Sequence, residues 1–145
     1  MNTDFYSNFS TTLRIALQAG IVSFDGIDFE ENFEPIIAFR GVFRNPGDSI
    51  GEITREDFCS QEEKGRKWRP ILGKNRLFNF SCSMFTDVEE LKLALKFPGC
   101  GDRHIISGKI TKEAGGITRE KQSSHIHWWL YKNCGSFYET FDEVI

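Results

Sequence analysis

Residues 36–43 read Ile36-Ile37-Ala38-Phe39-Arg40-Gly41-Val42-Phe43 and form the most apolar strand-like segment around which the rest of the fold can be predicted. It follows Pro35, it is apolar on both faces apart from the arginine, and the turn-forming residues Asn45-Pro46-Gly47-Asp48 end it. A strand that is apolar on both faces is typical of one covered on both sides. The sequence therefore predicts a central strand here.

The rest of the chain predicts helices that are separated from strands. Apolar residues recur at helical spacing between Asp4 and Gly20, and the capping box Thr86-Asp87-Val88-Glu89 predicts a central helix ahead of Pro98-Gly99. Strands are predicted at residues 21–24, 26–29, 78–84, 104–111, 125–131 and 137–144, with turns at 115–116 and 132–135. We expect an α+β fold: a single domain over residues 1–145, with a mixed, mostly antiparallel sheet flanked by N-terminal and central helices.

Composition and charge exclude several classes of protein. The chain has 145 residues and a net charge of −3, so its overall charge does not attract nucleic acid or anionic lipid. It has no long apolar run and no signal peptide, and its four cysteines are scattered, which predicts free thiols in a cytoplasmic protein without membrane association. The motifs of phosphate-binding loops, dinucleotide folds, zinc proteases and serine hydrolases are missing. No standard cofactor fingerprint is therefore present.

Three polar residues on the predicted strands are candidates for binding a ligand. Arg40 would be buried in the central strand, where a guanidinium needs a partner and is suited to phosphate or carboxylate. Ser81 and Ser83 would place two hydroxyls about 6.6 Å apart on one face of a strand. The structural alternative is that Arg40 reaches water or an acidic partner at the strand end, and that the serines form a solvent-facing side.

The stretch His125-Ile126-His127-Trp128-Trp129-Leu130-Tyr131 carries two imidazoles. In an extended strand His125, His127 and Trp129 share a face. They either line a pocket whose aromatic wall stacks a planar ring, or form a partly buried polar face. The two histidines also supply two metal ligands, but zinc needs at least one more and the pattern identifies none. No metal site is therefore predicted.

The segment from Lys64 to Arg76 is basic and contains a tryptophan. Lys67, Trp68 and Arg69 form the kind of surface that binds phosphate and stacks a base, so RNA is an alternative partner. The other interpretation is a solvated loop that balances neighbouring acidic residues, and the negative net charge favours it.

Two of these elements carry a family resemblance. Phe39-Arg40-Gly41-Val42, then Phe80-Ser81-Cys82-Ser83-Met84-Phe85 and the helix from Glu89 to Leu95, resemble the ADP-ribosyltransferase pattern of an aromatic-Arg-Gly strand, an S-x-S strand and a helix. The resemblance extends over about half of the chain. It implies that Arg40 contacts the phosphates or ribose of NAD and that Ser81 and Ser83 shape a nicotinamide pocket.

The family's third element, a glutamate on a later strand, has no counterpart in this pattern. His125 or His127 stands near its place, while Glu120, Glu139 and Glu143 lie outside the pattern. An imidazole can hydrogen-bond a ribose hydroxyl, but a protonated imidazole opposes a developing cation.

The leading expectation is a pocket that binds or cleaves an NAD-like nucleotide, with His125 or His127 as the catalytic group that orients the ribose. One alternative is a non-enzymatic immunity or accessory module that binds a protein partner through exposed Trp128 and Trp129 and the acidic residues 139–143. Another is RNA binding through the basic residues 64–76.

Overall fold

The computed structural model describes residues 3–66, 68, 75–95 and 103–144. The α-helices are α1 (Thr3–Tyr6), α2 (Thr11–Gln18) and α3 (Val88–Leu95). The strands are β1 (Ile36–Phe43), β2 (Cys82–Phe85), β3 (Arg103–Ile110), β4 (Gly115–Arg119), β5 (His125–Leu130) and β6 (Asp142–Glu143). Short 3-10 helices span Arg55–Phe58, Arg76–Phe80 and Phe137–Thr140.

One six-stranded sheet organises the described residues. Its order is β4-β5-β2-β1-β3-β6, and every neighbouring pair is antiparallel. β1 lies in the interior of the sheet, where it pairs with β3 from Ile36 to Phe43. The predictions of an α+β fold, a mostly antiparallel sheet and a central strand at residues 36–43 are therefore confirmed.

The two faces of the sheet are covered by different kinds of structure. On one face, Met84, Ile106 and Trp128 pack against Phe58 and other residues from 3-10 helices and loops. On the opposite face, α2 packs around Trp129. α3 covers the same face, and Gly41 lies so close to Leu95 that a Cβ at position 41 would stand 2.8 Å from its side chain. Because both faces are covered, β5 is buried on both sides.

The N-terminal helix is interrupted. A helix was expected from Asp4 to Gly20, but α1 ends at Tyr6 and α2 begins at Thr11. Between them Phe9 is fully buried and its backbone bridges to Tyr131. This bridge requires extended backbone at Phe9. The tertiary contact with Tyr131 therefore interrupts the helix that the apolar spacing predicts. The expected strands at residues 21–24 and 26–29 are also wrong, because these residues form turns and loops.

The predicted strand at residues 78–84 is correct only from Cys82 onward. The preceding residues form the 3-10 helix Arg76–Phe80, which begins where the Asn75 side chain accepts a hydrogen bond from the Leu77 N–H at 3.0 Å. It ends at Ser81, whose hydroxyl donates to the Phe78 carbonyl at 2.7 Å. Local side-chain hydrogen bonds of this kind compete with strand pairing.

Two further assignments near the C-terminus are corrected. Gly115 and Gly116 were expected in a turn, but they belong to β4, where a side chain would collide with the backbone of Trp129 and the ring of Phe29 respectively. Residues 137–144 were expected to form a strand, but the first half of them, Phe137–Thr140, forms a 3-10 helix that turns Phe137 into the core. β6 is only two residues long.

The start of α3 differs by one residue from the expected capping box. The cap is Asp87, whose carboxylate accepts a hydrogen bond from the Glu89 N–H at 2.9 Å, and α3 begins at Val88. The expected stop at Pro98-Gly99 lies outside the described residues. The 3-10 helix Arg55–Phe58 also begins with a capping box, in which Thr54 is the cap residue and Asp57 is the acidic member.

Trp128 and Trp129 are both fully buried. Trp128 packs at an angle of 77° against the Phe137 ring, and the Trp129 indole N–H donates to the Leu77 carbonyl at 3.1 Å. The prediction that these tryptophans form an exposed binding face is therefore wrong. Strand alternation correctly predicted that the two side chains point to opposite faces of the sheet. The layers that bury them come from distant parts of the chain, so alternation could not predict their burial.

Replacing Phe58 by alanine should lower the free energy of unfolding by about 3–5 kcal/mol, because Phe58 is fully buried and packs edge-on against Phe137 and Phe141. Phe43→Ala removes the same atoms from a side chain that is 48% exposed, and it should cost about 1 kcal/mol or less. Urea denaturation of both variants measures the difference. Equal losses would contradict the assigned core.

Candidate functional site

A seam divides the sheet between β1 and β2. These strands share a single register pair, Phe39 with Phe85. Beyond that pair β1 continues to Phe43 beside β3 alone, so β1 and β2 separate around Arg40 and Ser83. The seam places backbone carbonyls and side chains of both strands around one opening.

The Arg40 guanidinium fills the closed end of the seam. Its Nη1 donates to the Ser83 carbonyl and its Nε to the Asp57 carbonyl, both at 2.8 Å, and Nη2 lies 3.5 Å from the Cys59 carbonyl. Arg40 is only 9% exposed. Of the two interpretations of Arg40, burial within the central strand is the one observed, and the partners that compensate it are carbonyl dipoles from β2 and from the loop at residues 57–59.

The 3-10 helix Arg55–Phe58 presents those loop carbonyls. Thr54 and Asp57 form its capping box, and Arg44 holds the Asp57 carboxylate with two hydrogen bonds of 2.8 and 3.1 Å. Burial by itself raises the pKa of Asp57, but hydrogen bonds from Arg44 and the Thr54 N–H, together with the charges of Arg44 and Arg40, outweigh it and lower that pKa. A charged Asp57 thus fixes the loop that receives Arg40.

Two cavities open beside the seam, and together we call them the cleft. The first has a volume of about 370 Å³ and the second about 280 Å³. Arg40, Gln61 and Ser83 line both, so the cavities adjoin at these residues. The combined space falls in the range of small-molecule binding sites.

The first cavity is bordered by cations. Lys64 and Arg66 line it with Arg40, and the apolar side of α3 closes it through Leu91 and Leu95. The pKa of Lys64 lies below its usual value, because its ammonium loses hydration and because Arg40 and Arg66 add positive charge. Glu56 and Asp57 also line this cavity. Clustered cations of this kind attract an anion into the cavity.

The second cavity has aromatic and hydroxyl walls. Trp68, Phe78, Ser81, Ser83, His125 and His127 line it. The His127 ring lies 4.4 Å from the Phe78 ring, and the His125 ring stacks on Phe85 at 4.6 Å with an angle of 4°. Planar groups on one side and hydrogen-bonding groups on the other suit a flat polar ligand.

Two of the lining serines and both histidines join Glu120 in a chain of polar contacts beside this cavity, in the order Ser81, His127, Glu120, His125, Ser83. His127 contacts Ser81 Oγ through Nδ1 at 3.2 Å and Glu120 Oε1 through Nε2 at 3.0 Å. His125 contacts Ser83 Oγ through Nε2 and the same Glu120 oxygen through Nδ1 at 3.3 Å. Burial raises the pKa of Glu120, but the hydrogen bond from His127 and the charges of both imidazoles lower it overall.

The structure brings together the five residues predicted at the catalytic and nucleotide-binding positions. Arg40, Ser81, Ser83, His125 and His127 all line the second cavity. Strand alternation puts the Arg40 Cβ on the face of Met84, opposite Ser83, but its guanidinium turns back into the seam.

The predicted interaction surface is not reproduced as a unit. Trp129 is fully buried and is not available to a partner. Trp68 is half-buried and lines the second cavity, while Lys67 and Arg69 lie outside the described residues.

Sequence reasoning missed Glu120. It directly follows β4, which ends at Arg119, and the bend after it returns the chain so that Glu120 faces His125 and His127 of β5. The signal that was available is a hairpin: the strands before and after this bend pair antiparallel, and an acidic residue at the end of one faces the start of the other.

Comparison of the chain with models of known protein families, with curated proteins and with solved structures found no match. Among the described residues, no helix combines the length and apolar character needed to cross a membrane. Cys59, Cys82 and Cys134 are free thiols, as expected, and Cys100 lies outside the described residues.

Arg40→Lys should lower the free energy of unfolding by about 2–4 kcal/mol, because an ammonium cannot bridge three carbonyls in a planar fork and leaves buried acceptors unpaired. Arg66→Lys makes the same exchange at an exposed side chain and should change stability by about 0.5 kcal/mol or less. Urea denaturation at neutral pH compares them. If the Arg40→Lys variant were as stable as Arg66→Lys, the structural role assigned to Arg40 would be contradicted.

Asp57→Asn should destabilise the protein by about 1–3 kcal/mol at neutral pH, since it removes the charge that Arg44 binds. The folded-state pKa of Asp57 is lowered, so its contribution is complete above the ordinary aspartate value of about 3.9 and is lost as the pH falls through the lower folded value. Denaturation of wild type and variant over a pH series should show their difference narrowing only below about pH 4. A constant difference would contradict the charged Asp57.

Proposed function

We propose that the cleft binds an NAD-like nucleotide, with phosphate in the cationic cavity and a planar base and ribose in the aromatic cavity. The observation that carries the proposal is the junction of the two cavities at Arg40, Gln61 and Ser83. A ligand that spans this junction meets cations on one side and stacking groups on the other. Nucleotides combine these two chemistries in one molecule.

The phosphate end of the cleft is supported by charge. Lys64 and Arg66 stand close enough for Arg66 to depress the pKa of Lys64, and an anion between them relieves that repulsion. Asp57 also borders the space, but its carboxylate is bound by Arg44. Arg40 contributes positive charge at the junction while its guanidinium holds the seam.

The base and ribose end is supported by shape and hydrogen bonding. Trp68 and Phe78 offer aromatic faces, and stacking of a base on such a face contributes about 1–3 kcal/mol. The hydroxyls of Ser81 and Ser83 and the imidazoles of His125 and His127 suit the hydroxyls of a ribose. These roles agree with those implied by the resemblance to ADP-ribosyltransferases.

Cleavage of the nicotinamide–ribose bond is the reaction that this arrangement would support. The bond breaks with positive charge developing on the ribose, so a negative group nearby lowers the barrier. Glu120 supplies a carboxylate whose lowered pKa keeps it charged, and it contacts both imidazoles, His127 through a hydrogen bond and His125 at 3.3 Å. In this scheme His125 or His127 positions a ribose hydroxyl, and the Glu120 charge offsets the developing cation through the imidazole.

The experiment is a titration of the chain with NAD in the presence of chelator, followed by thermal shift and calorimetry. Ligand held by the native state raises apparent stability, by about 2.7 kcal/mol at one hundred times the Kd. Arg40→Ala is a poor probe because the fold uses Arg40. The double variant Lys64→Ala/Arg66→Ala should weaken binding at least tenfold with unchanged folding, because both side chains are exposed.

The matched control is Lys109→Ala/Lys132→Ala, which makes the same change in net charge at exposed positions that line neither cavity. It should bind NAD like wild type. The absence of any shift in wild type would end the nucleotide proposal, and equal losses in both double variants would reduce it to a general charge effect. Where NAD binds, nicotinamide release by wild type and His125→Ala tests cleavage.

A further inference from the structure

Glu120, His125 and His127 bring three potential ligand atoms to one point. Their carboxylate oxygen and ring nitrogens all lie within 4.8 Å of one another. Glu120 Oε1 is 3.0 Å from His127 Nε2 and 3.3 Å from His125 Nδ1. Two imidazoles and one carboxylate are a donor set that zinc and neighbouring divalent ions use in proteins.

The spacing of these atoms suits coordination to one ion. Zinc and similar ions lie about 2.0–2.2 Å from imidazole nitrogen and carboxylate oxygen. An ion at that distance from both Glu120 Oε1 and either ring nitrogen would make ligand–metal–ligand angles of about 90–105°. Such angles lie between octahedral and tetrahedral geometry, so Glu120 Oε1 can share one ion with either imidazole at the observed distances.

Each of the three side chains is oriented by a serine through its other polar atom. Ser81 contacts Nδ1 of His127, Ser83 contacts Nε2 of His125, and Ser123 donates to Oε2 of Glu120 at 3.2 Å. Hydrogen bonds to the far atom of each ligand are the usual support of protein metal sites, because they fix the ring tautomer and the carboxylate orientation.

The Ser81 contact favours one tautomer of His127. Ser81 donates its only proton to the Phe78 carbonyl at 2.7 Å, so it is left to accept a hydrogen bond from Nδ1–H of His127. In a neutral His127 the lone pair on Nε2 then points at the Glu120 carboxylate. A neutral His127 thus presents at Nε2 the lone pair that coordination of a metal ion requires.

The geometry points to a divalent metal site formed by Glu120 Oε1, His125 Nδ1 and His127 Nε2, with zinc or a chemically similar first-row ion as its ligand. The Glu120 side chain is 46% exposed and that of His125 is 21% exposed, so water can complete the coordination. A site with three protein ligands and open positions is the type that activates a bound water. The proposed metal site goes beyond the proposed nucleotide pocket and does not depend on nucleotide binding.

The test uses the full chain freed of metal with chelator and then titrated with Zn²⁺ by calorimetry and with Co²⁺ by visible absorption. Wild type should bind one equivalent of either ion, and the Co²⁺ spectrum should lack thiolate charge-transfer bands, because no cysteine belongs to the cluster. Glu120→Gln and His125→Ala each remove one ligand and should weaken binding more than about 100-fold. Both change side chains that are exposed or half-buried, so folding should be retained.

His104→Ala is the matched control. His104 also contacts a carboxylate, with Nδ1 2.6 Å from Glu143 Oε2, but it belongs to a different pair and lies outside the cluster. This variant should bind metal like wild type. Failure of wild type to bind either ion, unchanged affinity in Glu120→Gln and His125→Ala, or loss of binding in His104→Ala would overturn the proposal. The NAD titration is made in chelator, so its failure and the failure of metal binding are separate results.

Discussion

The Arg40 guanidinium stands where a ladder of backbone hydrogen bonds would otherwise join β1 to β2. A strand that separates from its neighbour leaves carbonyls without donors, and burying them is costly. Arg40 supplies the donors from its own side chain and ties the Ser83 carbonyl to those of Asp57 and Cys59. The cleft can therefore exist inside a continuous sheet, because one side chain replaces the missing pairing.

Local signals predicted the parts of this arrangement that depend on local physics. The apolar run of β1 and the capped start of α3 were found because strand burial and helix capping leave marks within a few residues. Phe78 was misassigned because the alternation of the following strand also runs through residues 78–80, where the hydrogen bonds of Asn75 and Ser81 form a 3-10 helix instead. Trp129 was placed on the surface because its covering layer comes from α2, more than a hundred residues away.

The residues of the candidate site that lie on strands were predicted from the sequence. Glu120, which lies in the hairpin bend, was not. Arg40, Ser83 and His127 each sit on a strand whose alternation could be read directly, and they do meet at one cavity. Glu120 depends on how the bend at residues 120–124 closes, which no periodicity encodes. One oxygen of the Glu120 carboxylate contacts both imidazoles. The residue that was not predicted is therefore the one that links the two histidines.

The seam also divides the sheet mechanically. On one side β4, β5 and β2 form a three-stranded unit, and on the other β1, β3 and β6 form a second unit. Within the sheet, one register pair and the Arg40 hydrogen bond to Ser83 connect them, while α3 and the buried core pack against both units. Among the described strands, backbone pairing is sparsest along this line, so the width of the cleft depends on the contacts that Arg40 makes. A molecule bound across the seam would contact both three-stranded units. It would therefore add a connection between them that the backbone pairing does not supply.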